Sequence, residues 1–346
     1  MTEENTEQTN KKFDYNKTYK LLLIIPAVLL LLSLIYLFVF YQKNNDIIRK
    51  DISLSGGTVV TLNTEKDIEE AKELIFQELE DFSIRKISNL RTGEQIALVI
   101  ESPLGVEETK QAIESALDLK ITENNSSIEF TGPSLGAAFY KQLLYGIIIA
   151  FSLMGIVVFF VFGDNLKLKI IISILTLLPI ILFWFGAINL NVAMVFNIII
   201  LLFSSFIYIK TSLPSFAVIL SAFADITMSL ALVNILGIKL SAAGIIAFLM
   251  LIGYSVDTDI MLTSRAIKSR DKKLNKRILS AFKTGMTMTI TSIVAVLVAL
   301  FFTRTFSSVL SQIFTILIIG LSFDLLNTWL TNSGIIKWYC DKKGIE

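Results

Sequence analysis

Hydrophobic positions along this chain form long unbroken runs, interrupted by one stretch in which they alternate or recur at helical spacing. The first run, Leu21 to Tyr41, has no charge in 21 residues. That length spans ~30 Å of hydrocarbon at ~1.5 Å per residue. It exceeds a typical signal-peptide core, and Gln42-Lys43 follows it instead of a small-residue cleavage site, so it reads as a retained anchor.

Gln42 to Lys141 is patterned differently. Gly57 to Leu62 reads as a strand opening at the Gly56-Gly57 pair. Glu65 to Leu79 carries Ile68, Ala71, Leu74, Ile75 and Leu79 on one helical stripe. Ser83 to Ile87 and Gln95 to Ile100 read as strands around the Arg91-Thr92-Gly93 turn. Gly105 to Leu117 is a second helix, with Glu107 and Glu108 in the turn where the helix dipole favours acids. Ser127 to Phe130 is a last strand. The order β-α-β-β-α-β predicts a ferredoxin-like α+β domain.

Beyond Lys141 the pattern is that of membrane spans. Gln142 to Phe162 is the second, followed by the charged turn Gly163 to Lys169. Ile170 to Ile209 holds no charge in 40 residues, too long for one helix, and Asn189-Leu190-Asn191 divides it in two. Leu213 to Leu236, Ser241 to Ser264, Thr284 to Thr303 and Phe306 to Ile336 complete the set. The expected fold is an α-helical polytopic membrane protein of about eight transmembrane helices plus the small α+β domain. The expected organisation is a tail over 1–20, a first span over 21–41 and the α+β domain over 42–141. A bundle over 142–336 with a hairpin at about 163–209, and a tail over 337–346, follow.

Composition agrees. The chain is 53% hydrophobic and 18% charged, against roughly 25% charged in a soluble domain; its mean hydropathy is +0.67. Disorder, a fibrous protein and an ordinary soluble enzyme are excluded.

Charge fixes the expected orientation. Net charge is +1, yet Gln42 to Tyr140 carries 18 acidic and 10 basic residues, leaving the remainder basic. Lys11, Lys12, Lys17 and Lys20 precede the first span; Lys167, Lys169 and Lys210 fall on the same side, as do Lys337, Lys342 and Lys343. The Arg265 to Arg277 loop, with seven basic residues and one acid, is the strongest signal. By the positive-inside rule both termini are cytoplasmic and the 42–141 domain is extracytoplasmic. The basic excess needs no nucleic-acid partner.

Candidate chemistry is narrow. Histidine is absent and Cys340 is the single cysteine, which excludes Cys/His zinc sites and Ser-His or Cys-His catalysis. No Gly-x-x-x-x-Gly-Lys-Ser/Thr run is present. No catalytic residue, metal or cofactor is expected, and an enzyme is not the reading.

Acids inside spans are rare, at about +2.5 to 3.5 kcal/mol each near a helix centre. Asp225 lies mid-span, Asp257 and Asp259 lie in the next span, and Asp324 lies in the last. A carboxylate removed from water binds and releases protons near neutral pH, so Asp225, Asp257 and Asp259 are proton-relay candidates. Asp324, near Asn327 and Thr328, fits a structural network better. Arg265 either pairs with Asp259 or ends its helix. Asp257 and Asp259 point about 200° apart on a helix. Asp257, beside Ser255 and Gly253, is expected to face Asp225, with Asp259 nearer the cytoplasmic mouth. Small neighbours such as Ser221 and Gly253 predict close backbone approach.

Four segments resemble the SecF branch of the SecD/SecF protein-export family, in its archaeal form. They are Leu54-Ser55-Gly56-Gly57-Thr58, Gly132-Pro133-Ser134-Leu135-Gly136, Ala224-Asp225, and Ile252-Gly253-Tyr254-Ser255-Val256-Asp257-Thr258-Asp259. The resemblance implies an RND-like bundle that works with SecD and a SecYEG-type channel, using the proton gradient to draw secretory polypeptides across the lipid bilayer. It aligns Asp225 with the family's membrane aspartate, commonly preceded by His. Bacterial members carry Asn-Asp and then Asp-Arg where this chain has Asp257-Thr258-Asp259 and Ser264-Arg265. It also implies six spans, which makes Gly163 to Ile209 an added hairpin expected to face lipid or a partner. Competing readings are an RND-type exporter of small molecules or lipids and a non-conducting structural subunit of the translocon. Two short tethers, near Gln42 and Lys141, suggest rigid-body motion of the outer domain.

Overall fold

A computed structural model describes residues 15–345 apart from 80, 90 and 270–272. Lys11 and Lys12, and three residues of the basic loop, lie outside the described residues. Helix α1 (Tyr15–Leu22) leads into α2 (Ile24–Asn44), whose apolar side chains are largely exposed, as a lipid-facing span requires. After the short α3 (Ile52–Ser55) come β1 (Gly57–Leu62), α4 (Ile68–Phe76), β2 (Ser83–Ser88), β3 (Gln95–Ser102), α5 (Val106–Leu117) and β4 (Ser126–Thr131). The four strands pair antiparallel in the order β2-β3-β1-β4. Helices α4 and α5 close a core of Val60, Leu62, Ile75, Leu98, Ile100, Ile113 and Leu117. Helix α4 starts later than its periodicity suggested because the Asp67 side chain caps it, accepting from the Glu69 amide.

The rest is helical: α6 (Pro133–Phe162), α7 (Leu166–Trp184), α8 (Leu190–Thr211), α9 (Leu213–Ile235), α10 (Ala242–Lys268), α11 (Leu274–Thr303) and α12 (Ser308–Leu326). A π-helical turn, Asn327–Asn332, then joins α12 to α13 (Ser333–Lys343). Among the described residues 8 helical segments are long and apolar enough to cross a membrane. Helix α9 is the axis, packed by α2, α6, α8, α10, α12 and α13. Its Ser221, Ala222 and Ala224 are buried, and side chains that small let so many neighbours approach.

The added hairpin is formed by α7 and α8. One face of α8 packs on α6, with Asn197 Nδ2 donating to the Tyr145 hydroxyl at 3.0 Å. Its outer face, including Val195, Ile199, Leu202 and Phe206, is exposed and apolar. A scattered Asn in an apolar run thus marks the packed side of this helix, where a buried amide finds a donor or acceptor.

The expected tethers are corrected too. Helix α6 starts at Pro133, well before Lys141, because proline at the first helical position is pre-set for helix. Its start is keyed to α3. Gly56 has φ +87°, and a Cβ there would lie 2.5 Å from the Pro133 Cα. A Cβ on Gly136 would lie 3.0 Å from the Leu54 carbonyl oxygen. The two glycine motifs therefore form one interlocked contact. Around it, the Asp51 amide donates to the Leu240 oxygen at 2.9 Å and the Ser88 amide to the Thr305 oxygen at 3.0 Å. Tyr140 donates to Asp46 at 2.6 Å. The α+β domain is docked on the bundle by backbone and side-chain bonds on several sides.

Glu101 belongs to this seam. It is buried, paired with Arg85 at 2.7 Å, and close to Asp51. Burial first, then the Asp51 carboxyl, push its pKa up to about 7 from the usual 4.5, with Arg85 and Lys239 opposing. The folded state therefore holds a proton that the unfolded chain has released between about pH 4.5 and about pH 7. The stabilisation is fully present below that window and lost as pH rises through it.

Two predictions follow from the seam. Gly56→Ala is expected to cost about 1–3 kcal/mol and to speed amide exchange over residues 46–58. Gly132→Ala, whose added methyl meets open space, should stay within about 0.5 kcal/mol; equal effects would refute the interlock. Glu101→Gln is expected to flatten the pH dependence of unfolding between about pH 4.5 and about pH 7. An unchanged slope would show that Glu101 does not hold the proton.

Candidate functional site

The site is built where α9, α10 and the π turn meet. Asp225 on α9 is 0% exposed. Its two carboxylate oxygens accept from Ser255 Oγ at 2.6 Å and from Asn327 Nδ2 at 2.7 Å. Asp259 is also 0% exposed; its Oδ1 accepts from Asn332 Nδ2 at 2.8 Å, while its Oδ2 has no hydrogen-bond partner among the described residues. Asp324 on α12 is 1% exposed and accepts from Thr328 Oγ1 at 3.1 Å. Asp225 lies within electrostatic reach of both other acids. Among the described residues no salt bridge reaches any of the three.

Helix periodicity explains which acid of α10 points inward. Ser255 and Asp259 are four residues apart and share a face, so the face that binds Asp225 also carries Asp259. Asp257 lies about 200° away from each and is exposed, in a stripe with Ile246, Met250, Gly253 and Tyr254. The expectation that Asp257 faces Asp225 is therefore corrected: Asp259 occupies the interior. Gly253 is corrected as well, since a Cβ there meets nothing within 4 Å. The close approach on α10 comes from another glycine: a Cβ on Gly320 of α12 would sit 2.3 Å from Leu251 Cδ2.

Arg265 does not pair with Asp259. It lies about 120° from Asp259 around α10 and donates to Thr284 Oγ1 at 2.9 Å and to the Ser280 oxygen at 3.3 Å. It ties α10 to α11.

Two residues that periodicity alone did not mark complete the site. Asn327 and Asn332 are five apart, which in an α-helix turns them about 140° from one another. The wider i→i+5 turn of the π segment brings both toward the acids. Asn327 holds Asp225, not the nearby Asp324. The sequence signal was a run of Asn, Thr, Thr, Asn at 327, 328, 331 and 332 inside an apolar span.

Chemically, the arrangement offers neutral donors to carboxyl groups and no fixed cation. Among the described residues no group of His, Cys, Asp and Glu is placed to hold a metal. Gain or loss of a proton at any of these acids changes the charge of a sealed polar cluster whose hydrogen bonds join three helical elements.

Comparison with known proteins agrees with this architecture. The family model "Protein export membrane protein SecD/SecF, C-terminal" matches residues 182–342. The protein-export membrane protein SecF of Methanocaldococcus jannaschii is 32% identical over 330 residues, covering 93% of this chain and 96% of the relative. That of Methanothermobacter thermautotrophicus is 33% identical over 330 residues, covering 94% of each. A crystal structure of SecDF, described as a translocon-associated membrane protein, from Thermus thermophilus has the same fold, with a TM-score of 0.57 at 16% identity. The match covers 96% of this chain, and the chain spans 39% of that longer one. On the identity and coverage of these relatives, the chain belongs to the SecF family of protein-export membrane proteins.

Proposed function

We propose that this chain is an accessory subunit of the Sec protein-export machinery. It acts with a SecD-type partner and a SecYEG-type channel to promote passage of secretory polypeptides across the cytoplasmic membrane, coupled to the proton gradient. The observation that supports this reading is the sealed cluster of Asp225, Asp259 and Asp324 between α9, α10 and the π turn. Asp225 and Asp259 are the relay residues, with Asp324 added. A proton arriving at Asp225 removes the charge that Ser255 and Asn327 answer, and the helices that supply those donors repack.

In this reading both termini are cytoplasmic and the domain of about residues 42–141 is extracytoplasmic. Its docking on the 237–241 loop, between α9 and α10, gives a short route from the acid-bearing helices to that domain. Asp257 and Tyr254 belong to the surface that meets the SecD-type partner, since a carboxylate on the outer face of a span is costly against lipid.

A second reading, a non-conducting structural lock, is favoured by the hydrogen bonds that Asp225 already makes. Asn substitution separates the two. Asp225→Asn preserves size, keeps an acceptor oxygen for Asn327 and can donate to a reoriented Ser255 hydroxyl, but cannot ionise; the relay reading predicts intact assembly with gradient-driven export at background, measured in inverted vesicles. Normal export by that variant would support the lock and refute the relay. A cysteine at Tyr254 is expected to crosslink to a cysteine placed on the SecD-type partner. Crosslinking only to lipid-borne probes would remove this face from the interface.

A further inference from the structure

We propose that the added hairpin holds one ordered water molecule, which bonds α8 to α6 and α7. The site is a cavity of about 20 Å³ between these helices, with α9 as a further wall. A single water needs roughly 10–15 Å³ of room and two to four polar partners. Hydroxyl groups from three helices line this cavity: Ser152 on α6, Thr176 on α7, and Ser204, Ser205 and Tyr208 on α8. None of the lining residues is charged, so the site suits a neutral occupant.

Most of these hydroxyls have already placed their protons. Ser152 donates to the Ile148 oxygen at 2.7 Å, Thr176 to the Ile172 oxygen at 2.7 Å and Ser205 to the Leu201 oxygen at 2.8 Å. Each of these bonds runs one turn back along the donor's own helix and so ties no helix to another. A hydroxyl that donates once still has lone pairs with which to accept. Tyr208 reaches across to the Gly155 oxygen on α6, at a long 3.4 Å.

Ser204 is the exception, and it is the independent observation. It is 5% exposed, it lines the cavity, and its Oγ has no hydrogen-bond partner of normal geometry among the described residues. The Tyr208 hydroxyl, one turn on, lies close to it without making such a bond. A close polar pair that does not bond directly is a usual place for a bridging water. Lipid offers nothing in its stead, and a buried hydroxyl left unanswered carries the full cost of its desolvation. The assigned water accepts the free Ser204 proton and donates its own two to the hydroxyl oxygens of α6 and α7. It thereby continues a polar seam along the buried face of α8, where Asn197 meets Tyr145 and Tyr208 meets Gly155.

The test uses the full chain in lipid bilayers, with water-to-protein magnetisation transfer measured by solid-state NMR. Transfer to Ser204 is expected to be faster than to Ala193, which is fully buried on the same helix. Transfer to the Tyr208 ring is expected to be lost in Ser204→Val, whose side chain fills the cavity without a hydroxyl. Ser204→Ala deprives the water of its donor and is expected to lower Tm by about 1–4 °C. In a dry cavity the same substitution removes an unanswered hydroxyl, and Tm stays level or rises. Transfer at Ser204 no faster than at Ala193, transfer at Tyr208 that persists in Ser204→Val, or a Tm of Ser204→Ala at or above the parent's would each overturn the proposal.

Discussion

Asp225 is fully buried, and Ser255 and Asn327 supply its two hydrogen bonds. A carboxyl group left without donors at that depth would cost several kcal/mol, so the helices around it are constrained to bring donors. Ser255 fixes the rotation of α10, and that rotation carries Asp259 inward. Asn327 and Asn332 reach both acids because the last span opens into a π turn there. The crowding of neighbours onto α9, through Ala222, Ala224 and Ser221, holds this geometry. The packing of the bundle and the chemistry of its centre are one arrangement.

The seam with the α+β domain is organised by a different constraint. Gly56 and Gly136 let the α3 segment and the first turn of α6 touch through backbone. The segment just before α3 then pairs with the loop that joins α9 to α10. The helices that carry the acids thus end on the base of the domain, and in the proposed relay a change in their packing would reach it without a long lever. Glu101, whose carboxyl burial and Asp51 push up to about 7, lies in the same seam.

Much of this was legible in the sequence. Uncharged runs located the spans, because hydrocarbon length fixes helix length, and alternation located the strands of the ferredoxin-like sheet within a residue or two. Helix ends were less legible. Pro133 and Asp67 reset the starts of α6 and α4 locally, and α11 extends into a basic segment that hydropathy alone treats as loop. At the site, the i, i+4 spacing of Ser255 and Asp259 held the answer about which acid faces inward. Asp257 appeared favoured because it is nearer in sequence to Ser255, but proximity along a helix is not a shared face. The role of Asn332 was hidden for a physical reason: it depends on a π turn, and no periodicity of 3.6 places residues 327 and 332 together. Likewise, Gly56-Gly57 and Gly132-Pro133 stood out as motifs, but their contact is tertiary.

The central claim is that Asp225 exchanges a proton inside the cluster held by Asn327. Infrared difference spectroscopy of the full chain across a pH step, in a Glu101→Gln background that silences the seam carboxyl, reads this directly. The account predicts a titrating carboxylic-acid band that Asp225→Asn removes and that Asn327→Leu shifts in frequency through loss of a donor. A spectrum with no titrating carboxylic-acid band, or one left unchanged by Asp225→Asn, would contradict it.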